Sequence, residues 1–260
     1  MDRRALFASG AAAALLAASG VSAQARPQRG GRLRAALSAV AGEGWADAAP
    51  SLFRQIARHA VHEGLTEIAA DGTLRGNLAE VWDSPDQGRT WHFTLRAARW
   101  HDGSDVTPAQ VAAALGGAVH KGRVVLTATP ADAALPFRMA QPDALIAHPE
   151  NPLLGTGLYT LNRYEAGRRA ILDRVEAHPR ADQAGWADVA DLSGITAPAT
   201  RLEALLHDMV DVIDHPENQT PVGLTRLGEA LVGAGTHAPR EIGQALPLDN
   251  FRLAERWWLA

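Results

Sequence analysis

The sequence predicts an α/β protein built from short strands and amphipathic helices, and three observations carry that expectation. Period-two segments recur, the clearest being Trp91, Phe93 and Leu95 alternating with His92, Thr94 and Arg96, which gives one apolar and one polar face. Other segments have helical spacing, such as Leu52, Phe53, Ile56, Ala60 and Val61. A hydrophobic content of 47% against 21% charge over 260 residues supplies an ordinary core, so the chain is not of the disordered class.

Residues 1–25 read as a targeting segment. Asp2-Arg3-Arg4 precedes a nearly continuous apolar run from Ala5 to Ala18, and Val21-Ser22-Ala23-Gln24-Ala25 offers Ala-x-Ala-like cleavage sites. The run is too short to span a bilayer comfortably. Arg3-Arg4 followed by Leu6-Phe7 resembles a twin-arginine signal, although Asp2 stands where Ser or Thr is usual. Cleavage after Ala25 removes two arginines and one aspartate and takes the net charge from −4 to −5. A mildly acidic chain with scattered arginines and a single lysine, Lys121, presents no track for nucleic acid. There is no cysteine to bridge or to lipidate, so a freely diffusing exported protein is expected.

After a polar linker, Arg32 to Ser38 alternates Leu33, Ala35 and Leu37 with Arg34 and Ala36 and should be the first strand. Pro50 is a favourable first helical position, and Gly64 is expected to close the helix that follows. Leu65 to Ile68 leads into Asp71-Gly72, a hairpin turn, and Asp83 to Gly88 has the composition of a loop. Thr107-Pro108-Ala109-Gln110 forms a capping box that starts a helix running to about Leu115. Leu158 to Tyr164 and Arg169 to Arg174 flank Glu165-Ala166-Gly167 as a second hairpin. A helix over 198–207, a strand over 210–214, and a further helix from Thr220-Pro221 carrying Leu224, Leu227 and Leu231 complete the reading.

Five motifs, in order and at matching spacing, resemble the N-terminal lobe of the peptide/nickel-type (family 5) ABC-transporter periplasmic solute-binding proteins. They are His62-Glu63-Gly64-Leu65, Asp71 to Trp82, Gln87 to Arg96, Trp100 to Val111, and Gly155-Thr156-Gly157-Leu158-Tyr159. Residues 200–211 resemble a later motif of the family, with the usual glycine replaced at Asp208-Met209. The resemblance implies a type II periplasmic-binding-protein-like lobe of mixed sheet and helices over 26–195. It further implies a reduced second lobe over 196–240, a return to the main lobe over 241–260, and a missing extra subdomain. In function it implies periplasmic, non-catalytic binding of a small peptide or similar polar solute, with an ABC permease of the inner membrane as partner. The shortening leaves a second possibility, a protein-interaction or structural module, with a homodimer formed through the face that the missing lobe would cover.

Candidate ligand-binding residues follow from both readings. Trp45, in a loop without periodic partners, is either an exposed aromatic platform or a packing plug. Trp100 and His101 precede a tight turn and are either cleft residues or a buried wedge and a turn hydrogen bond. The resemblance places Arg138 where relatives bring a cation toward the cleft, to clamp a carboxylate or simply to lie in solvent. Tyr159 sits on the Gly-Thr-Gly strand, in the core or with its hydroxyl reaching the cleft. No cofactor or metal is expected. His59 and His62 are three apart on a helix, but no third ligand follows at fixed spacing, and neither HExxH nor CxxC occurs. A nucleophile elbow and a dinucleotide glycine pattern are both missing, so no enzyme is expected.

Overall fold

The computed structural model describes residues 29–47, 51–69, 72–181 and 185–215, and the backbone of 224–229 and 235–239. Residues 1–25, expected as a targeting segment, Pro50, Asp71, Thr220-Pro221, Leu231 and the stretch 241–260, on which expectations were placed, lie outside the described residues.

Strand β1 (Arg32–Leu37) lies at the centre of a seven-stranded mixed sheet. It pairs in parallel with β10 (Val189–Gly194) on one side and with β11 (Val212–His215) on the other. Beyond β10 the sheet continues antiparallel through β9 (Arg169–Arg174) to β8 (Tyr159–Glu165), joined by the expected hairpin. Its other flank is β13 (Gly235–Pro239) and then β12 (Leu224–Glu229). Strands β11, β12 and β13, which fall within 196–240, the range expected to form a reduced second lobe, lie in the same sheet as β1. The helix expected from Thr220-Pro221 is a strand where it is described. Gly228 weakens a helix there by about 1 kcal/mol, and three leucines make a weak helical period beside a strand edge that offers backbone partners.

Helix α1 (Leu52–Val61) covers one face of this sheet. Ser51 is its N-cap, accepting from the Arg54 amide. It ends at His62, whose amide donates back to the Arg58 carbonyl, two residues before the expected Gly64 stop. Gly64 answers a different need: a Cβ there would lie 2.5 Å from the Met139 carbonyl oxygen. The core beneath α1 gathers Leu33, Ala35 and Leu37 of β1 with Phe53, Ile56, Leu158, Tyr159 and Leu172. Ala36, on the opposite face, packs with Ala204, Leu205 and Ile213 under α4 (Pro198–Leu206). The central strand is thus buried on both faces, as parallel pairing favours.

A smaller four-stranded antiparallel sheet has the order β4 (Ala79–Asp83), β5 (Thr90–Leu95), β7 (Arg123–Thr127), β6 (Ala118–His120). The hairpin β2 (Thr66–Ile68) and β3 (Leu74–Gly76) stands beside it. Helix α2 (Pro108–Ala114) starts with the expected capping box of Thr107 and Gln110, and its Val111 joins Phe93, Trp100, Val124 and Ile146 in a second core. A short helix α3 (Leu135–Arg138) packs against β2, where the Thr66 hydroxyl donates to the Pro136 carbonyl.

Candidate functional site

The two sheets are joined by residues from motifs far apart in the chain. Arg96 donates to both carboxylate oxygens of the buried Glu63, at 2.8 and 2.7 Å, and its Nε donates to the Asn77 carbonyl at 2.9 Å. The Leu78 amide bonds the Gly64 carbonyl, and the Gly157 amide bonds the Val61 carbonyl. His101 donates its own amide to Gly155. Gly155 and Gly157 are required by close approach: a Cβ at either would fall 1.9 and 2.4 Å from the carbonyl oxygens of Val61 and Ala60 respectively. The motif segments therefore converge on one joint.

Beside this joint opens a groove of about 690 Å³. It is lined by Arg96 to His101 with Asp105 and Val106, and by Thr156, Gly157 and Thr160 with Val175, Ala177 and His178. The lining is mostly apolar, with imidazole, hydroxyl and guanidinium groups at intervals, a mixture suited to a small ligand with polar ends. Arg99 and Asp105 form an exposed pair at 3.3 Å on the rim. His178 donates from Nε2 to the Thr156 carbonyl at 3.0 Å and lies 3.9 Å from Glu63. Burial lowers its pKa, against the pull of Glu63. Thr156 is buried, and its hydroxyl has no hydrogen-bond partner.

Of the five candidate residues, Trp100 and His101 line this groove. Trp100 is also a buried wedge: its indole donates to Gln110 and stands edge-on to His148. His101 bonds the Gly157 carbonyl through Nε2 at 2.9 Å, and burial lowers its pKa. The other three lie elsewhere. Trp45 is 8% exposed, donates to the Pro152 carbonyl and packs edge-on to Tyr164, so it is a plug and not an exposed platform. Arg138 is exposed and pairs with Asp132, away from the groove. The Tyr159 hydroxyl is turned into the core, donating to Ala187 at 2.8 Å, and burial pushes its pKa up. Sequence reasoning missed His178 and Thr156 as groove residues. Thr156 stood inside a quoted motif, whereas His178 lies in a loop without period and gave no signal.

Among the described residues no cluster of three or more His, Cys, Asp or Glu could hold a metal ion. No described helix is long and apolar enough to cross a membrane.

The parallel-centred sheet, the smaller antiparallel sheet and the joint between them define the class: the chain has the fold of the peptide/nickel-type (family 5) solute-binding proteins of ABC transporters. No family model and no curated protein matches the sequence. Among solved structures, it is similar to the PBP AgaA from A. tumefaciens R10 in complex with agropinic acid, with 22% identity and a TM-score of 0.64. That match covers 71% of this chain and 44% of AgaA. NikA from Staphylococcus aureus in complex with Ni(L-His)2 matches with 15% identity and a TM-score of 0.62, over 75% of this chain and 47% of NikA. DppA from Helicobacter pylori, an ABC transporter-associated periplasmic binding protein in complex with the peptide STSA, matches with 14% identity and a TM-score of 0.59, over 75% and 48%. The chain thus spans less than half the length of each of these proteins.

Proposed function

We propose that this chain is the exported, non-catalytic solute-binding component of a peptide/nickel-type ABC importer, and that it binds a small peptide or similar polar solute. The observation that carries the reading is the shared fold with binding proteins for an opine, a nickel complex and a peptide. The groove walled by Trp100 and His101 is the proposed seat of the solute, the periplasm its location and an inner-membrane permease its partner. The chain from Arg26 is titrated with mixed short peptides, the nickel–histidine complex and opines, following tryptophan fluorescence and melting temperature. A saturable fluorescence change with a rise in melting temperature is expected. Ala177→Trp, which fills the groove from an exposed position, should abolish it. No shift across all three panels overturns the reading.

A second reading, a protein-interaction module that forms a dimer, is favoured by Leu206 and Met209, which stand 58% and 65% exposed at the end of α4. Sedimentation distinguishes it: a dimer broken by Leu206→Glu supports this reading, and a monomer at high concentration removes it.

A further inference from the structure

His101 and His178 come from different parts of the chain, yet each accepts a backbone amide at Nδ1 and holds a carbonyl of the same crossing through Nε2. The Gly155 amide donates to Nδ1 of His101 at 3.3 Å, and Nε2 of that ring meets the Gly157 carbonyl at 2.9 Å. The Arg180 amide donates to Nδ1 of His178 at 3.1 Å, and Nε2 of that ring meets the Thr156 carbonyl at 3.0 Å. A backbone amide can only donate and a carbonyl can only accept. Both rings are therefore neutral with the proton on Nε2. Each imidazole ties a backbone donor to a backbone acceptor of Gly155–Gly157, a segment whose Thr156 and Gly157 line the groove and whose Gly157 amide bonds the Val61 carbonyl at the joint.

We propose that His101 and His178 act as a proton-released double clamp on Gly155–Gly157: each holds the segment only while its ring is neutral, so acid loosens the joint and the groove wall together. A second proton on Nδ1 would point at the amide hydrogen that the ring now accepts, turning a hydrogen bond into a clash of two donors. The surroundings do not favour the charged ring. His101 faces Glu63, Asp102 and the buried His62; His178 faces Glu63, Arg96 and Arg180. Glu63 is the carboxylate common to both, and both of its oxygens are already taken by Arg96. Asp102 is held by the amide and hydroxyl of Ser104. Burial opposes charging of both rings more than these acids favour it. The clamp is a property of the chain itself and does not depend on what the groove binds.

The test is amide hydrogen exchange of the full ¹⁵N-labelled chain between pH 7.5 and 5, corrected for the intrinsic exchange rate, with histidine ¹H–¹⁵N spectra to read the tautomers. The opening that exposes the Gly155 and Arg180 amides should grow about tenfold for each pH unit below about 6.5, where a released imidazole titrates. It should do so before Ala190 and Leu192, in the central sheet, lose protection. Gln can accept with its oxygen and donate with its nitrogen but takes up no proton. His101→Gln should therefore flatten the pH response at Gly155 alone, and His178→Gln that at Arg180 alone. Protection at Gly155 and Arg180 that stays constant with pH, or falls only in step with Ala190 and Leu192, overturns the proposal. So does a proton found on Nδ1 of either ring at neutral pH.

Discussion

Arg201 and Asp214 pair at 3.2 Å in the interior, their side chains 2% and 1% exposed. The guanidinium reaches beyond the carboxylate. It donates from Nε to the Asp214 carbonyl and from Nη1 to the carbonyls of Ile195 and Thr196, while Asp214 also accepts from the Ser38 amide. One ion pair thereby ties together the ends of β1, β10 and β11 and the start of α4.

Removing one partner leaves a buried charge without compensation. Arg201→Ala should destabilise the protein by about 3–5 kcal/mol, whereas the double change Arg201→Met with Asp214→Asn should cost much less. Urea unfolding of the two variants checks this, and equal losses would show that the pair is not the operative contact.

Asp208 lies in the left-handed region, at φ 55°, immediately after α4. The Met209 amide bonds the Ala204 carbonyl and the Asp208 amide bonds that of Leu205, a Schellman arrangement. Gly116 fills the same place after α2, at φ 66°. Asp208→Gly should raise stability by about 0.5–1 kcal/mol by relieving the Cβ, measured as an increase in the urea midpoint.

Gly155 has no room for a methyl group, since its Cβ would meet the Val61 carbonyl oxygen at 1.9 Å and its carbon at 2.6 Å. Gly155→Ala should cost upwards of about 3 kcal/mol. By contrast, Gly103→Ala meets no atom within 4 Å and carries only the strain of its φ of 88°, about 1 kcal/mol. Thermal melts of the two variants should differ accordingly.

His62 is 1% exposed, and burial beside Arg58 pushes its pKa down to about 3. The unfolded chain takes up this proton near pH 6.5 and the folded chain does not. The contribution is thus fully present above about 6.5 and is lost as pH falls toward 3, at about 1.4 kcal/mol per pH unit. His62→Leu should reduce the acid slope of the unfolding free energy by one proton. Urea titrations at pH 7 and pH 5 measure the difference, and an unchanged slope would refute it.

Much of the fold was legible because it rests on local rules. Alternation marked β1 and β5, the turn at Glu165-Ala166-Gly167 marked the β8–β9 hairpin, the capping box marked α2, and helical spacing marked α1 and α4. Reading failed where period was weak: the leucines at 224 and 227 suggested a helix, and the open edge of a neighbouring strand made a ladder instead. Among the candidate site residues, Trp100 and His101 line the groove because they belong to a motif that packs beside it. Trp45 and Tyr159 were drawn inward because their rings fill core space and each polar atom finds a backbone carbonyl there.

The sequence by itself determined β1, β5, the β8–β9 hairpin, helices α1, α2 and α4 and the motifs that mark the fold, because capping, turn chemistry and side-chain period act over a few residues. Only the tertiary structure decided that Glu63 would meet Arg96, that residues 212–215 would lie beside β1, and that two histidines 77 positions apart in the numbering would hold one crossing. Those pairings depend on which faces the packing of two sheets brings together, and no local pattern in the chain encodes the partner of a buried charge or imidazole.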